Sequence, residues 1–457
     1  MIHQYKSNGY NIVMDVESGA VHVVDDVTYD VIALFEDTEI SKIVEQLSDK
    51  YDKADIEEAI SEVNQLKEDG QLFTQDIYQP FIEEFKDKRQ TVVKALCLHI
   101  AHDCNLACKY CFAEEGEYHG RRAMMSFEVG KKALDFLVAN SGSRVNLEVD
   151  FFGGEPLMNW DVVKQLVEYG RSLEEPNHKK FRFTLTTNGV LLNDEIMEYL
   201  NKEMSNVVLS LDGRKEVNDR MRPFRTGKGS YDLIVPKFQK LAESRNQSNY
   251  YVRGTFTRDN LDFSEDVKHF ADLGFKQMSI EPVVGPEEDP YSIREEDLPK
   301  IMEEYDKLAL EYIKREKEGR GFNFFHFMID LNQGPCVYKR LSGCGSGTEY
   351  LAVTPWGDFY PCHQFVGNEE FLMGNVDEGI KRTDLVKTFG NCNVYSKEKC
   401  KNCFARFYCS GGCAANSFNF HGTINDAYEI GCEMERKTVE SSIMTKAALA
   451  DNEKEVY

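Results

Sequence analysis

The 457-residue sequence has no run approaching the roughly 20 apolar residues that cross a bilayer, which excludes a transmembrane helix. Its first segment, Met1 to Asp15, lacks the basic start and apolar centre of a secretory signal. A cytoplasmic protein with no membrane partner is expected. Positive charge is scarce too: 54 Lys and Arg face 78 Asp and Glu, a formal net charge of −24. Broad phosphate-backbone binding runs on surplus cations, so no nucleic-acid partner is expected. Internal repeats and low-complexity tracts are missing. What remains, 42% hydrophobic and 29% charged, suffices for two or three packed domains.

Cysteine, by contrast, is abundant, with 13 residues. Without an export signal they belong in a reducing compartment, where clustered thiols bind metal more often than they form disulfides. Residues 1–85 read as a small α+β module. Tyr10, Ile12, Met14 and Val16 alternate with polar neighbours, the Ser18-Gly19 turn follows, and Val21 and Val23 resume the alternation. Apolar residues then recur at helical spacing around Val27 to Phe35, Ile43 to Leu47 and Ile56 to Leu66, with Gly70 ending the last run.

From Val92 the pattern becomes short apolar strands separated by helices: 92–100, 145–152, 181–187, 207–211, 251–256 and 277–282. Six such units imply a parallel β/α barrel, whose chemistry sits at the strands' C-terminal ends. Polar or cysteine motifs stand at four of those ends. They are the Cys104 loop, Gly153-Gly154-Glu155-Pro156, Thr187-Asn188-Gly189 and Ser210-Leu211-Asp212-Gly213. An acidic helix over about 295–318 leads to a region that starts near Asn323 and holds nine of the cysteines.

Cys104, Cys108 and Cys111 form a C-x3-C-x2-C loop directly after a strand. Three thiolates there leave one iron of a four-iron cluster open to substrate, and Tyr110 and Phe112 can shield it. Three cysteines can also hold zinc with His99 or His102 as the fourth ligand, but zinc does not account for the motifs on the successive strand ends. The loop and the motifs behind it, over about 91–290, resemble the radical S-adenosylmethionine (SAM) superfamily. That resemblance implies an α/β fold with a partial (β/α)6 barrel over 91–310. It implies SAM held on the open iron of a [4Fe-4S] cluster and split to a 5′-deoxyadenosyl radical that takes a substrate hydrogen. Gly153, Gly154, Glu155 and Pro156 resemble the segment receiving the SAM amine, where glycine permits close backbone approach. Asn188 and Ser210 resemble ribose or carboxylate contacts, and Arg222 the arginine that grips the carboxylate.

Cys344, then Gly357 and Cys362, are followed by Cys400-x2-Cys403-x5-Cys409-x3-Cys413 and Cys432. This order resembles the SPASM extension of peptide-modifying radical SAM enzymes, here over 334–457 after a bridging region at 311–333. The resemblance implies two auxiliary [4Fe-4S] clusters and so three in all. One is assigned Cys400, Cys403, Cys409 and Cys432, the other Cys344, Cys362 and Cys413. The second set counts three, so its fourth position is open or is filled by Cys336. Cys97 reads as a core residue and Cys392 as an incidental loop thiol. A pair of zinc-ribbon sites is the bland alternative for the whole field.

The hairpin and helices of 1–85 resemble the winged-helix-like element that recognises peptides by adding a leader as another strand, with Val21 to Val24 as the free edge. A packing or dimerisation module is the other reading. Module, barrel and SPASM field in this order resemble the maturases of six-cysteine SCIFF peptides. That resemblance implies a ribosomally made, cysteine-rich precursor peptide, a reductant such as flavodoxin or ferredoxin, and a thioether between a cysteine sulfur and a carbon, commonly of threonine. The enzyme runner-up is a sulfatase-maturase-like dehydrogenase making formylglycine. Those enzymes place an aspartate after the cysteine matching Cys362, where this chain has His363, a surface histidine or a general base. The non-enzyme alternative is an iron-sulfur electron carrier with a peptide-binding head.

Overall fold

A computed structural model describes residues 1–85, 92–118, 120–331 and 337–450. Strands β1 (Ile2–Ser7), β2 (Tyr10–Asp15) and β3 (Val21–Val24) form an antiparallel sheet in that order. Helices Asp26–Leu34, Ile40–Leu47 and Lys53–Glu68 follow. Asp25 caps the first by accepting from the Thr28 amide at 2.8 Å. The alternation along β2 sorts its two faces. Val13 joins Val31, Ile43, Ile56 and Val63 in the module's own core, whereas Ile12, Met14 and Val16 belong to the main core of the protein. The sheet is therefore sandwiched between its helices and the rest of the chain.

The docking is polar as well. Glu17 accepts from Arg406 at 2.6 Å with both side chains almost fully buried, and Asp76 accepts from Arg406 and from Tyr395. His3 stacks on Phe404 with ring centroids 3.4 Å apart. Edge strand β1 lies against the C-terminal helix through its side chains: Tyr5 donates to the Glu440 carbonyl and His3 meets the Glu440 carboxylate. Among the described residues the other edge, β3, pairs with β2 alone.

All six barrel strands stand within a few residues of their sequence positions: β4 (Ala95–His102), then β6 (Asn146–Gly153), β7 (Lys180–Thr187), β8 (Asn206–Ser210), β9 (Tyr250–Phe256) and β10 (Gln277–Pro282). They pair in parallel in chain order, and β5 (Ala123–Met124) adds a short antiparallel bridge to β4. Leu147, Val149, Phe151, Phe183, Leu185, Val207 and Leu209 are fully buried, each contributing about 1.5–3 kcal/mol. Their neighbours Glu148, Asp150 and Phe152 point to the other, half-buried face.

The sheet does not stop at the barrel. β11 (Asn323–Phe324) extends it beyond β10, and β12 (Tyr350–Val353), from the cysteine-rich region, pairs in parallel with β4 and continues into β13 (Asp358–Tyr360). One continuous sheet thus runs from the barrel into the cysteine-rich region and holds Cys362 beside the first half of β4, near Cys97. Helix Leu298–Lys317, the expected acidic helix, packs along the Glu429–Ala450 helix, which carries Cys432. No helix among the described residues is long and apolar enough to cross a membrane.

Candidate active site

The loop after β4 is shaped by its neighbours rather than by regular structure. Ala107 and Lys109 donate to the carbonyls of Pro223 and Met221 at 2.9 Å, and Arg225 donates to the Asp103 carboxylate and to the Cys104 carbonyl. On the other side, Gly154 donates to the Ala101 carbonyl at 2.7 Å and Glu155 to that of Asp103 at 2.9 Å. Glycine is required here because a Cβ on Gly153 would stand 2.3 Å from the Ala101 oxygen, and one on Gly154 2.0 Å from the Asp103 oxygen. The glycine pair lets the end of β6 lie directly against the cysteine loop.

Cys104, Cys108, Cys111, Gly153, Gly154, Glu155, Pro156, Asn188, Ser210 and Arg222 all line one cavity of about 150 Å³. Within it Glu155 spends its buried carboxylate on the protein, accepting from Thr187 Oγ1 at 2.8 Å and from the Asn188 and Leu157 amides at 2.8 and 3.0 Å. It thereby locks the β6 motif to the β7 motif. Asn188 donates to Asn105 at 2.7 Å, beside Cys104. Arg222 donates to the Tyr110 hydroxyl at 2.9 Å, and Tyr110 donates to Asp212. This buried relay is legible only in three dimensions, since it joins residues 110, 212 and 222.

The cavity fits the group its motifs imply. Arg222 keeps a buried Nε–H with no partner among the described residues, a donor suited to a carboxylate. Burial pushes the Cys104 thiol up to about 11 and Cys108 to about 12, so both need a positive centre before they ionise, and coordinated iron supplies one. Zinc fits poorly. Four bonds of about 2.3 Å would hold sulfurs ~3.8 Å apart, and among the described residues the one set of ligand atoms within 4.8 Å of one another is His421, Asp426 and Glu429. Lys399 already pairs with both of those carboxylates. His99 and His102 bond each other at 3.0 Å instead of joining the cysteines.

In the cysteine-rich region Cys400, Cys403, Cys409 and Cys432 line one cavity of about 200 Å³. Cys344 and Cys413 line a larger one of about 480 Å³; burial, with these two cysteines nearby, holds the Cys362 thiol above its usual range. Cys409 and Cys432 also reach this second cavity, as does Glu281 at the end of β10, so both sets open towards the barrel. Cys336 lies outside the described residues. Cys97 is buried in β4, as expected of a core thiol. Cys392 is less incidental than its isolation in sequence suggests, because it shares a cavity wall with Cys344. His363 is no surface residue: its ring packs against Phe112 and Phe152, at 5.6 and 5.2 Å between centroids, beside the SAM-type cavity. Burial lowers it to about 4, so it is neutral at physiological pH and a weaker base than a free imidazole.

Residues 98–265 match the family model of the radical SAM superfamily. A cysteine-type anaerobic sulfatase-maturating enzyme of Clostridium novyi is 25% identical over 362 residues, spanning 75% of this chain and 92% of that one. The structure of native anSMEcpe with bound AdoMet superposes with a TM-score of 0.64 at 20% identity, covering 79% of this chain and all of that one. Streptococcus suis SuiB, solved with S-adenosylmethionine, covers 94% of this chain and 98% of its own, with a TM-score of 0.51 at 16% identity. It has also been solved bound to its precursor peptide SuiA. The protein thus has the radical SAM α/β fold with a mainly parallel sheet.

Proposed function

We propose that this protein is a radical SAM maturase that closes a thioether between a cysteine sulfur and a carbon of another residue, commonly threonine, in one ribosomally made cysteine-rich peptide. Its order of module, barrel and cysteine field resembles that of the SCIFF-peptide maturase CteB. The observation carrying this reading is the docked N-terminal module with β3 as its free edge. The anSMEcpe chain is fully matched by 79% of this one, whereas the SuiB match, a protein solved with a precursor peptide, extends to 94%.

When bound, SAM and the three clusters supply hydrogen-atom abstraction and an acceptor for the one electron left when sulfur and carbon join. The chain's own residues do the rest. Cys104, Cys108 and Cys111 hold the first cluster, Arg222 with its spare Nε–H meets the SAM carboxylate, and Tyr110 and Asp212 fix the guanidinium. Asn188 and Ser210 face the rest of the SAM molecule. Cys400, Cys403, Cys409 and Cys432 hold one auxiliary cluster. Cys344, Cys362 and Cys413 would hold the other, and a set of three protein thiols would leave room there for the substrate thiolate. A reductant such as flavodoxin or ferredoxin feeds the first cluster.

Anaerobic protein with SAM, a reductant and cysteine-rich peptides encoded nearby should give a product lighter by two hydrogens, about 2 Da, locked to one cysteine. Mass spectrometry showing a cysteine turned into an aldehyde would favour the second reading, formylglycine formation, which the sulfatase-maturating relative supports. Removing the leader from the peptide should weaken its binding at least about tenfold, near 1.4 kcal/mol. Equal affinities in calorimetry would sink the role of β3. Arg222→Lys keeps the charge but loses the planar fork. SAM binding should fall by about 1.5–3 kcal/mol, read by equilibrium dialysis.

A further inference from the structure

Between the two auxiliary cysteine sets lies a charge that neither spacing nor resemblance singles out. Lys397 is 2% exposed, and its ammonium donates to the Gly411 carbonyl at 2.7 Å. No carboxylate pairs with it among the described residues; neighbouring Glu398 and Glu429 pair with Lys401 and Lys399 instead. A buried ammonium with no counter-ion is costly, so the fold must bring negative charge to it from elsewhere.

The surroundings show where that charge comes from. Lys397 shares a cavity wall with Cys344. Gly411, the residue it holds, lies between Cys409 and Cys413 in sequence and lines both auxiliary cavities. Gly411 has a φ of +88°, and a Cβ there would come within 3.7 Å of Lys397 Cδ, so the lysine stem runs along the partition between the sets. Burial raises the thiols of Cys392, Cys400, Cys413 and Cys432, and the Lys397 charge opposes that rise at all four.

We propose that Lys397 is the shared counter-charge of both auxiliary iron-sulfur clusters and raises their reduction potentials. The proposal rests on reading the two cysteine sets as cluster sites, and it holds whichever substrate the enzyme takes. Reduction adds one negative charge to a cluster, and a fixed cation in a low-dielectric wall stabilises the reduced state more than the oxidised one. One ammonium facing both sites biases both towards accepting the electron that bond closure leaves behind.

Metal and sulfide analysis of the anaerobic parent comes first: zinc without sulfide in the auxiliary sites removes the cluster reading and the proposal with it. With clusters present, potentials are taken by redox titration followed by electron paramagnetic resonance, using the Cys104 cluster as internal reference. Lys397→Met should shift both auxiliary potentials negative by at least a tenfold change in the reduced-to-oxidised ratio, ~59 mV for one electron, and leave the reference unmoved. Lys397→Arg should stay near the parent. Unmoved auxiliary potentials, or a shift at one site only, overturn the proposal. If Lys397→Met and Lys397→Gln cannot hold the auxiliary clusters, loading by Lys397→Arg supports the required charge, and failure of the arginine variant too overturns it.

Discussion

Cys104→Ala, Cys108→Ala and Cys111→Ala should each stop formation of 5′-deoxyadenosine from SAM while the protein keeps its auxiliary iron. In the proposed reading those three thiols are the whole protein ligand set of the first cluster, and neither His99 nor His102 lines the cavity they share. Loss of one ligand should lower iron by about four atoms per chain, since the cluster is lost as a unit. The auxiliary sites begin at Cys344 and occupy separate cavities, so their spectrum should persist. Chromatographic assay for 5′-deoxyadenosine checks the first half and iron counting the second. A variant that cleaves SAM at the parent rate would show that the cavity is not where SAM reacts.

Arg406→Met should lower stability by about 3–5 kcal/mol, because it strands the buried carboxylate of Glu17. The same change removes the partner of Asp76 and the cation over the Phe407 ring, 4.8 Å from its centroid. Arg406 also lines the cavity of Cys400, Cys403, Cys409 and Cys432, so the damage should reach that cluster. Scanning calorimetry should show the first transition moving down in temperature, and auxiliary iron should become easier to chelate. Glu17→Gln should cost less, since Asp76 still faces the guanidinium. Equal stability of Arg406→Met and the parent would mean that the buried Arg406–Glu17 pair contributes nothing net to holding the module.

The two substitutions differ in how far they could be foreseen. The cysteine loop was legible because its ligands sit within eight residues and the motifs behind it stand at the ends of short apolar runs separated by helical stretches. The strand positions came out well for the same reason, even though β12 and β13 had no such signal; β12 is held by pairing with β4, and β13 by pairing with β12. Val13 shows the opposite case. Alternation marked Ile12, Met14 and Val16 as the buried face of β2, yet Val13 is equally buried, because a second layer covers the other side. A hairpin cannot announce from its own residues that it will be covered twice.

The sequence by itself determined the chemistry this protein can host: soft thiolate ligands at cluster spacings, glycines where β6 touches the cysteine loop, and an arginine within reach of a carboxylate. Those choices are local, set by ligand reach and by the shape of one or two turns. The tertiary structure alone decided which charges meet. Arg222 reaches Asp212 through Tyr110, Glu155 ties two strand ends together, Arg406 clamps the N-terminal module, and Lys397 stands between two cysteine sets with no carboxylate beside it among the described residues. Each of these depends on a buried polar group finding its partner across many residues, and burial is a property of the packed chain rather than of any segment of it.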